Sequence, residues 1–267
     1  AGRALLVASL ILLSSKAVLA QDTVRIVAVN YPLAYLAERL AGATAEVVFP
    51  VPEEADPSFW RPSIADISMI QSSNLILLNG AGFATWIDRV SLPRSKLVNT
   101  SAALKDRFIV TESITHSHGD GGEHSHEGLA SYTWLDPTLA MAQAEAIAAA
   151  ILRRDLTPAE DVDARLEALR ADFDALDAAN RSLLDGAQGI AMIATHPRYQ
   201  YLAKRYGLSI TSLEWEAGAM PTAEEQADLK TLVEETGARI LLWEAAPPQG
   251  AVSAAADLGL KSVTFAP

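Results

Sequence analysis

Of the five histidines in 267 residues, His116, His118, His124 and His126 fall in one stretch, THSHGDGGEHSHEG, residues 115–128. Two His-x-His pairs flank Asp120 and Glu123, offering imidazoles and carboxylates to a borderline divalent ion. Neutral imidazole is the ligand form, so capture should weaken below the ordinary histidine pKa of about 6.5. Gly119, Gly121 and Gly122 occupy the centre, and 116–127 holds no apolar residue, so the stretch reads as an exposed loop without a core. Ordering such a backbone costs roughly 1–2 kcal/mol per residue, so the loop is expected to collect ions rather than hold one tightly. The competing reading is a solvated linker with idle histidines. The crowding of nearly all the histidines into so short a tract favours metal contact.

The fifth histidine, His196, follows the apolar run IAMIAT, while Glu214 follows ITSL and Glu244 follows RILLW. Each lies at the carboxyl end of a strand-like run, where ligands approach parallel sheets. His196 has a plain alternative as a satisfied strand-end residue capping a helix that begins at Pro197. Glu244 has one as a partner for the loop AAPPQG.

Alternating elements must position these groups. VRIVAV (24–29), AEVVFPV, LILLNG (75–80) and KLVNTS read as strands; YPLAYLAERLAG, SIADISMIQSSN and 136–154 read as helices, Asp136 capping the last of them ahead of Pro137. In 157–186, Val162, Leu166, Leu169, Phe173, Leu176 and Leu183 recur on a helical period. They predict one helix of about 28 residues, about 42 Å long, acting as a strut that resists a wide hinge. Strand and helix then alternate again to the end. The expected fold is α/β: two lobes, each a mostly parallel sheet flanked by helices, joined by one long rigid helix. The expected boundaries are an export signal over 1–20, an N-terminal lobe over 21–156 carrying the His-rich loop, the connecting helix over 157–186, and a C-terminal lobe over 187–267.

The leader reading rests on Arg3, the apolar run ALLVASLILL (4–13), and Val18 and Ala20 before a cut. That run is shorter than the roughly 20 residues a bilayer needs, so no stable membrane insertion is expected once the signal is removed. There is no cysteine, hence no disulfide and no thiolate ligand. The net charge of −12 becomes more negative when Arg3 and Lys16 leave with the signal; such a surface repels nucleic acid and attracts cations. Neither Gly-x-Ser-x-Gly nor His-Glu-x-x-His is present, and the histidines outside the loop reduce to His196, so an enzyme is not expected.

Several motifs together resemble the periplasmic zinc- and manganese-binding subunits of ABC importers, the ZnuA/TroA-like cluster. They are EADPSFWRPSIADI (54–67), LLNGAGFATWID (77–88), the His-rich insertion, TWLDP (133–137), THPRYQYLAKRYGL (195–208) and LLWEAAPPQ (241–249). The resemblance implies one metal in a cleft between lobes, zinc first and manganese second, carried as cargo in the periplasm by a monomer to a permease in the inner membrane. It also implies a ligand set: a histidine after Asp-Pro, a histidine two residues before the Trp of Trp-Leu-Asp-Pro, a group at His196, and an Asp near the C-terminus. Carried over, the first falls on Ser58, the second on Tyr132, the third on His196, and the fourth beyond Pro267, in a C-terminal lobe expected to be truncated. Zinc sites keep at least three protein ligands. Three readings of the mismatch stand open: a shifted alignment, carboxylates drawn from Glu214, Glu216 or Glu244, or exchange of the metal for another cargo. Trp60, Tyr132, Trp134 and Trp243 lie at or beside ligand positions and could line a pocket for an organic or cationic molecule. A metallochaperone or adhesin without a transport role is a further alternative.

Overall fold

The computed structural model describes residues 23–111, 115–116, 124–125 and 128–267. The expected leader therefore lies outside the described residues, as do most of the His-rich loop's positions. Of that loop, the backbones of β5 (Thr115–His116) and β6 (His124–Ser125) pair antiparallel, with His116 opposite His124.

The first lobe is built on a four-stranded parallel sheet. Its strands are β1 (Val24–Ala28), β2 (Ala45–Val48), β3 (Leu75–Leu78) and β4 (Leu97–Asn99), in the order β2-β1-β3-β4. Around it pack α1 (Tyr31–Ala41), α2 (Ile64–Ser72) and α3 (Pro137–Arg153). Local side chains cap the starts of these helices. The Asn30 side chain accepts from Leu33 N with Pro32 in the first turn, Ser63 and Asp66 form a reciprocal capping box, and Asp136 accepts from Thr138 N beside Pro137. The central β3, LILL, is a continuous apolar run and β1 is broken only by Arg25, because both faces of the middle of the sheet are covered. Ile26, Leu75, Ile76 and Leu77 have no measurable exposure.

The second lobe repeats the plan with β7 (Ala191–Ala194), β8 (Ser209–Ser212), β9 (Ile240–Trp243) and β10 (Lys261–Thr264), all parallel, in the order β10-β9-β7-β8. Its helices are α5 (Gln200–Tyr206), α6 (Ala223–Thr236) and α7 (Gln249–Asp257). Within each sheet the chain reverses its winding direction beside the central strands, and the crevice at their carboxyl ends is where ligands bind in such sheets.

The predicted strut is α4 (Ala159–Leu183), 25 residues long, beginning after Pro158. Its first half is part of the first lobe. Val162 and Leu169 are buried in that lobe's core, Arg165 donates to the carbonyls of Leu40 and Ala41, and Arg39 pairs with Asp172 at 2.7 Å. Its second half reaches the other lobe, where Asp177 pairs with Arg205 and accepts from Tyr206, and Asn180 donates to the Tyr206 hydroxyl. One helix is thus fastened to both lobes, and hinge bending would break ion pairs or apolar packing at one end.

Two outcomes follow. Leu169→Ala should cost about 2–5 kcal/mol, whereas Leu176→Ala, 47 % exposed on the same helix, should stay within about 0.5 kcal/mol; thermal denaturation of the two variants makes the comparison. Small-angle scattering should give indistinguishable radii of gyration with and without added zinc, because α4 holds the lobes at a fixed separation.

Candidate functional site

Three neighbouring parallel strands deliver the second lobe's polar groups to one place. Beyond β7, β8 and β9 the chain continues into Thr195–His196, Leu213–Glu214 and Glu244, and Thr195 N→Leu242 O and Leu213 N→Ala194 O, both 2.8 Å, keep these extensions in register. His196 Nε2 lies 4.0 Å from Glu214 Oε2, and its Nδ1 lies 3.8 Å from Glu244 Oε1. The same Nδ1 lies 3.0 Å from the Trp215 carbonyl oxygen. A carbonyl only accepts, so Nδ1 carries the proton and Nε2 keeps its lone pair on the side of Glu214. His196 does not cap the following helix. That helix starts three residues past Pro197, and the imidazole is already engaged by Trp215.

From the first lobe comes the turn at Asp56–Ser58, where Asp56 Oδ1 accepts from Ser58 N at 2.8 Å and the Asp56 carbonyl accepts from Phe59 and Trp60. Beside it stands Tyr132, whose placement depends on a buried amide network. Asn79, at the end of β3, donates to Ser131 O at 2.9 Å; Gln143 of α3 donates to Asn79 and to Thr100; and Thr133 donates to Gln143. Residues on both sides of Tyr132 are thereby fixed. Gly80, in the turn after Asn79, has φ +76°, and a Cβ there would collide with Ser101 and Asn99, so the loop that brings Phe83 to Tyr132 requires glycine.

The group that sequence reasoning missed is Arg198. It is 7 % exposed, donates from Nε to Glu244 Oε2 at 2.7 Å and from Nη2 to Asp56 Oδ2 at 2.7 Å, and lies over the Tyr132 ring at 4.6 Å. Its two carboxylates belong to different lobes. The Tyr132 hydroxyl, 3.3 Å from Ser58 Oγ, is pushed up to about 12 by burial. At the two positions where the family resemblance implies histidines, this chain thus has a protonated phenol and a serine, with a tethered cation beside them. Nothing in THPRYQ beyond the basic residue two places after His196 could have signalled this.

Between the lobes lies a cavity of about 450 Å³ lined by Ser58, Phe59, Phe83 and Tyr132 on one side and His196, Arg198, Gln200 and Glu214 on the other. Val110, Thr111 and Leu129 are also in its wall, joined by Thr111 N→Gly128 O at 2.8 Å. Other aromatics from the sequence reading lie elsewhere. Trp60 packs edge-on against Trp86, Trp134 packs on Phe83 and Tyr132 behind the cavity, and Trp243 is buried against Trp215 in the second lobe's core. Among the described residues, no three His, Asp or Glu side chains converge as a metal cluster. His196, Glu214 and Glu244 are neighbours, but Arg198 already holds Glu244. The side chains of His116, His118, His124 and His126 lie outside the described residues.

Burial, and then the positive charge of Arg198, lower the pKa of His196 below its ordinary 6.5, against the opposing pull of Glu244, the Trp215 carbonyl and Glu214. The neutral ligand form therefore persists to lower pH than in a free imidazole. Unfolding takes up a proton between the folded pKa and about 6.5, so this contribution to stability is full above about 6.5 and declines as pH falls through that window. The urea midpoint should drop between about pH 7.5 and about pH 5.5, and His196→Gln should flatten part of that drop, as followed by circular dichroism.

Comparison with known proteins agrees with this architecture. Residues 26–267 match the family model ZnuA, zinc-uptake complex component A, periplasmic. The high-affinity zinc uptake system protein ZnuA of Bacillus subtilis is 26 % identical over 250 residues, covering 90 % of this chain and 77 % of that protein. The zinc-binding lipoprotein AdcA of Streptococcus pneumoniae is 27 % identical over 214 residues, covering 78 % of this chain but only 42 % of the relative. Among solved structures, the metal-dependent lipoprotein YcdH of Bacillus subtilis superposes with TM-score 0.75 at 22 % identity, over 91 % of this chain and 87 % of that one. Zn(II)-bound AdcA of Streptococcus pneumoniae gives TM-score 0.75 at 20 % identity, over 91 % and 50 %. With nearly all the described residues matched and the two-sheet, single-strut fold shared, the chain belongs to the ZnuA family of periplasmic zinc-uptake components.

Proposed function

We propose that this protein is an exported, monomeric solute-binding component that captures a divalent transition metal, zinc first and manganese second, and delivers it to an ABC permease in the inner membrane. The observation that carries the reading is His196: its Nδ1–H is fixed by the Trp215 carbonyl and its Nε2 lone pair lies beside Glu214 in the inter-lobe cavity. An imidazole oriented through its other nitrogen, next to a carboxylate, is how proteins present nitrogen to zinc. The names of the relatives, which speak of zinc uptake and zinc binding, support the choice of ion. The protein is read as a carrier, in keeping with the zinc-uptake family it belongs to, and His196 is committed to a backbone carbonyl. Nucleic acid has no place in this reading, given the acidic chain. Among the described residues no helix is long and apolar enough to cross a bilayer.

Labour is divided between two places. The His-rich stretch collects ions from the surroundings, and the cleft holds one at His196 and Glu214. The cleft ion is held more weakly than in a site with the full family ligand set, because hydroxyls stand at Ser58 and Tyr132 and the Arg198 guanidinium occupies Asp56 and Glu244. A second reading, an organic or cationic ligand in place of a bare ion, is favoured by the volume and the aromatic wall of the cavity.

Equilibrium dialysis against zinc with elemental analysis tests the division. The protein should retain more than one ion per chain. Replacing His116, His118, His124 and His126 by Ser should leave one, and adding His196→Ala should remove it. A protein that retains no metal would overturn the carrier reading.

A further inference from the structure

Between the end of β2 at Val48 and the start of α2 at Ile64 the chain runs without helix or strand, and Ser58 in its middle lines the inter-lobe cavity. A connection of that length inside a compact domain usually serves a function. The backbone hydrogen bonds Ala55 N→Pro52 O, Phe59 N→Asp56 O and Trp60 N→Asp56 O close turns within the segment rather than joining it to either sheet. Pro52, Pro57 and Pro62 fix φ, so 51–62 is stiff although no ladder holds it. In its own lobe it is anchored by Trp60, edge-on against Trp86, and by Ser63, which caps α2. Across the cleft it is held by Asp56 Oδ2 against Arg198 Nη2 at 2.7 Å.

That ion pair can be undone from one side. The Asp56 side chain is 36 % exposed and can take up water, while the buried Arg198 keeps Glu244 at 2.7 Å and the Tyr132 ring at 4.6 Å when Asp56 leaves. Separating the pair therefore strands no buried charge. The lobes have no comparable freedom, since α4 is fastened to both. Passage into the cavity of about 450 Å³ thus falls to a local movement. We infer that residues 51–62 are a lid over the inter-lobe cavity and that the Asp56–Arg198 pair is its latch. The lid swings as one stiff piece on its anchored ends, while the two sheets and α4 stay in place. This holds whether the cargo is an ion or an organic molecule, because it concerns access and not coordination.

Amide hydrogen exchange of the full chain without added metal, followed by mass spectrometry, tests the lid. Asp56→Asn suits the purpose, since an Asn oxygen still accepts from Ser58 N and only the charge is lost. It should speed exchange in peptides covering 51–62 at least about fivefold and leave α1, α4 and β7 as they were. Raising sodium chloride from about 0.05 M to about 0.5 M should speed the same peptides about twofold in the unmodified protein and not in Asp56→Asn, because salt screens a part-exposed pair. Leu169→Ala, which loosens the core of the first lobe, is the control for general destabilisation and should not single out 51–62. The latch is overturned if Asp56→Asn leaves exchange in 51–62 unchanged, or if salt acts equally on both proteins. Faster exchange that spreads equally into α4 and β7 means that the pair holds whole lobes together, and overturns the lid.

Discussion

The guanidinium of Arg198 sits nearly out of reach of water between Glu244 of its own lobe and Asp56 of the other, with the Tyr132 ring against its face. Two ion pairs at 2.7 Å satisfy two edges of the fork, and the cation–π contact covers a flat side. Removing the guanidinium would leave the buried Glu244 carboxylate without its cation, a loss of about 3–5 kcal/mol, comparable with a large part of a protein's net stability. The contact therefore does two things at once. It joins the lobes across the cleft, in addition to the contacts α4 makes with both, and it places a permanent positive charge beside the positions from which the resemblance expects histidine ligands.

That charge orients the carboxylates around it, while burial governs the phenol beside it. Glu244, at the end of β9, is turned to Arg198 and offers His196 only a distant oxygen. Tyr132 keeps its proton, since burial pushes its pKa to about 12. His196 and Glu214, at the ends of β7 and β8, line the inter-lobe cavity, whereas Glu244 is turned away to Arg198. The family's frame of two parallel sheets and a strut is intact, while its cleft presents a different set of groups.

Much of the scaffold could be read before folding it. The apolar runs that became β1, β3, β7 and β9, the cap at Asp136, and the period of Val162, Leu166 and Leu169 are local signals, and local geometry answers to them. The positions of His196, Glu214 and Glu244 at strand ends were legible for the same reason, because alternating elements imply a parallel sheet and parallel sheets bind ligands at their carboxyl ends. The aromatic reading fared unevenly: Tyr132 faces the cavity, whereas Trp60, Trp134 and Trp243 pack among neighbours. Periodicity tells that a ring is beside the cleft and not which side of the backbone it leaves from.

Taken alone, the sequence determined the α/β class, the parallel sheets, the strut and the strand-end placement of the imidazole and carboxylates, because each is set by neighbours a few residues apart or by a regular alternation. Only the tertiary structure decided which charges meet. Asp56 and Arg198 are 142 positions apart, and Arg198 and Glu244 are 46. No spacing rule links them, since their encounter depends on how two lobes dock around a common helix. That docking turned an unremarked arginine into the cation at the centre of the cleft.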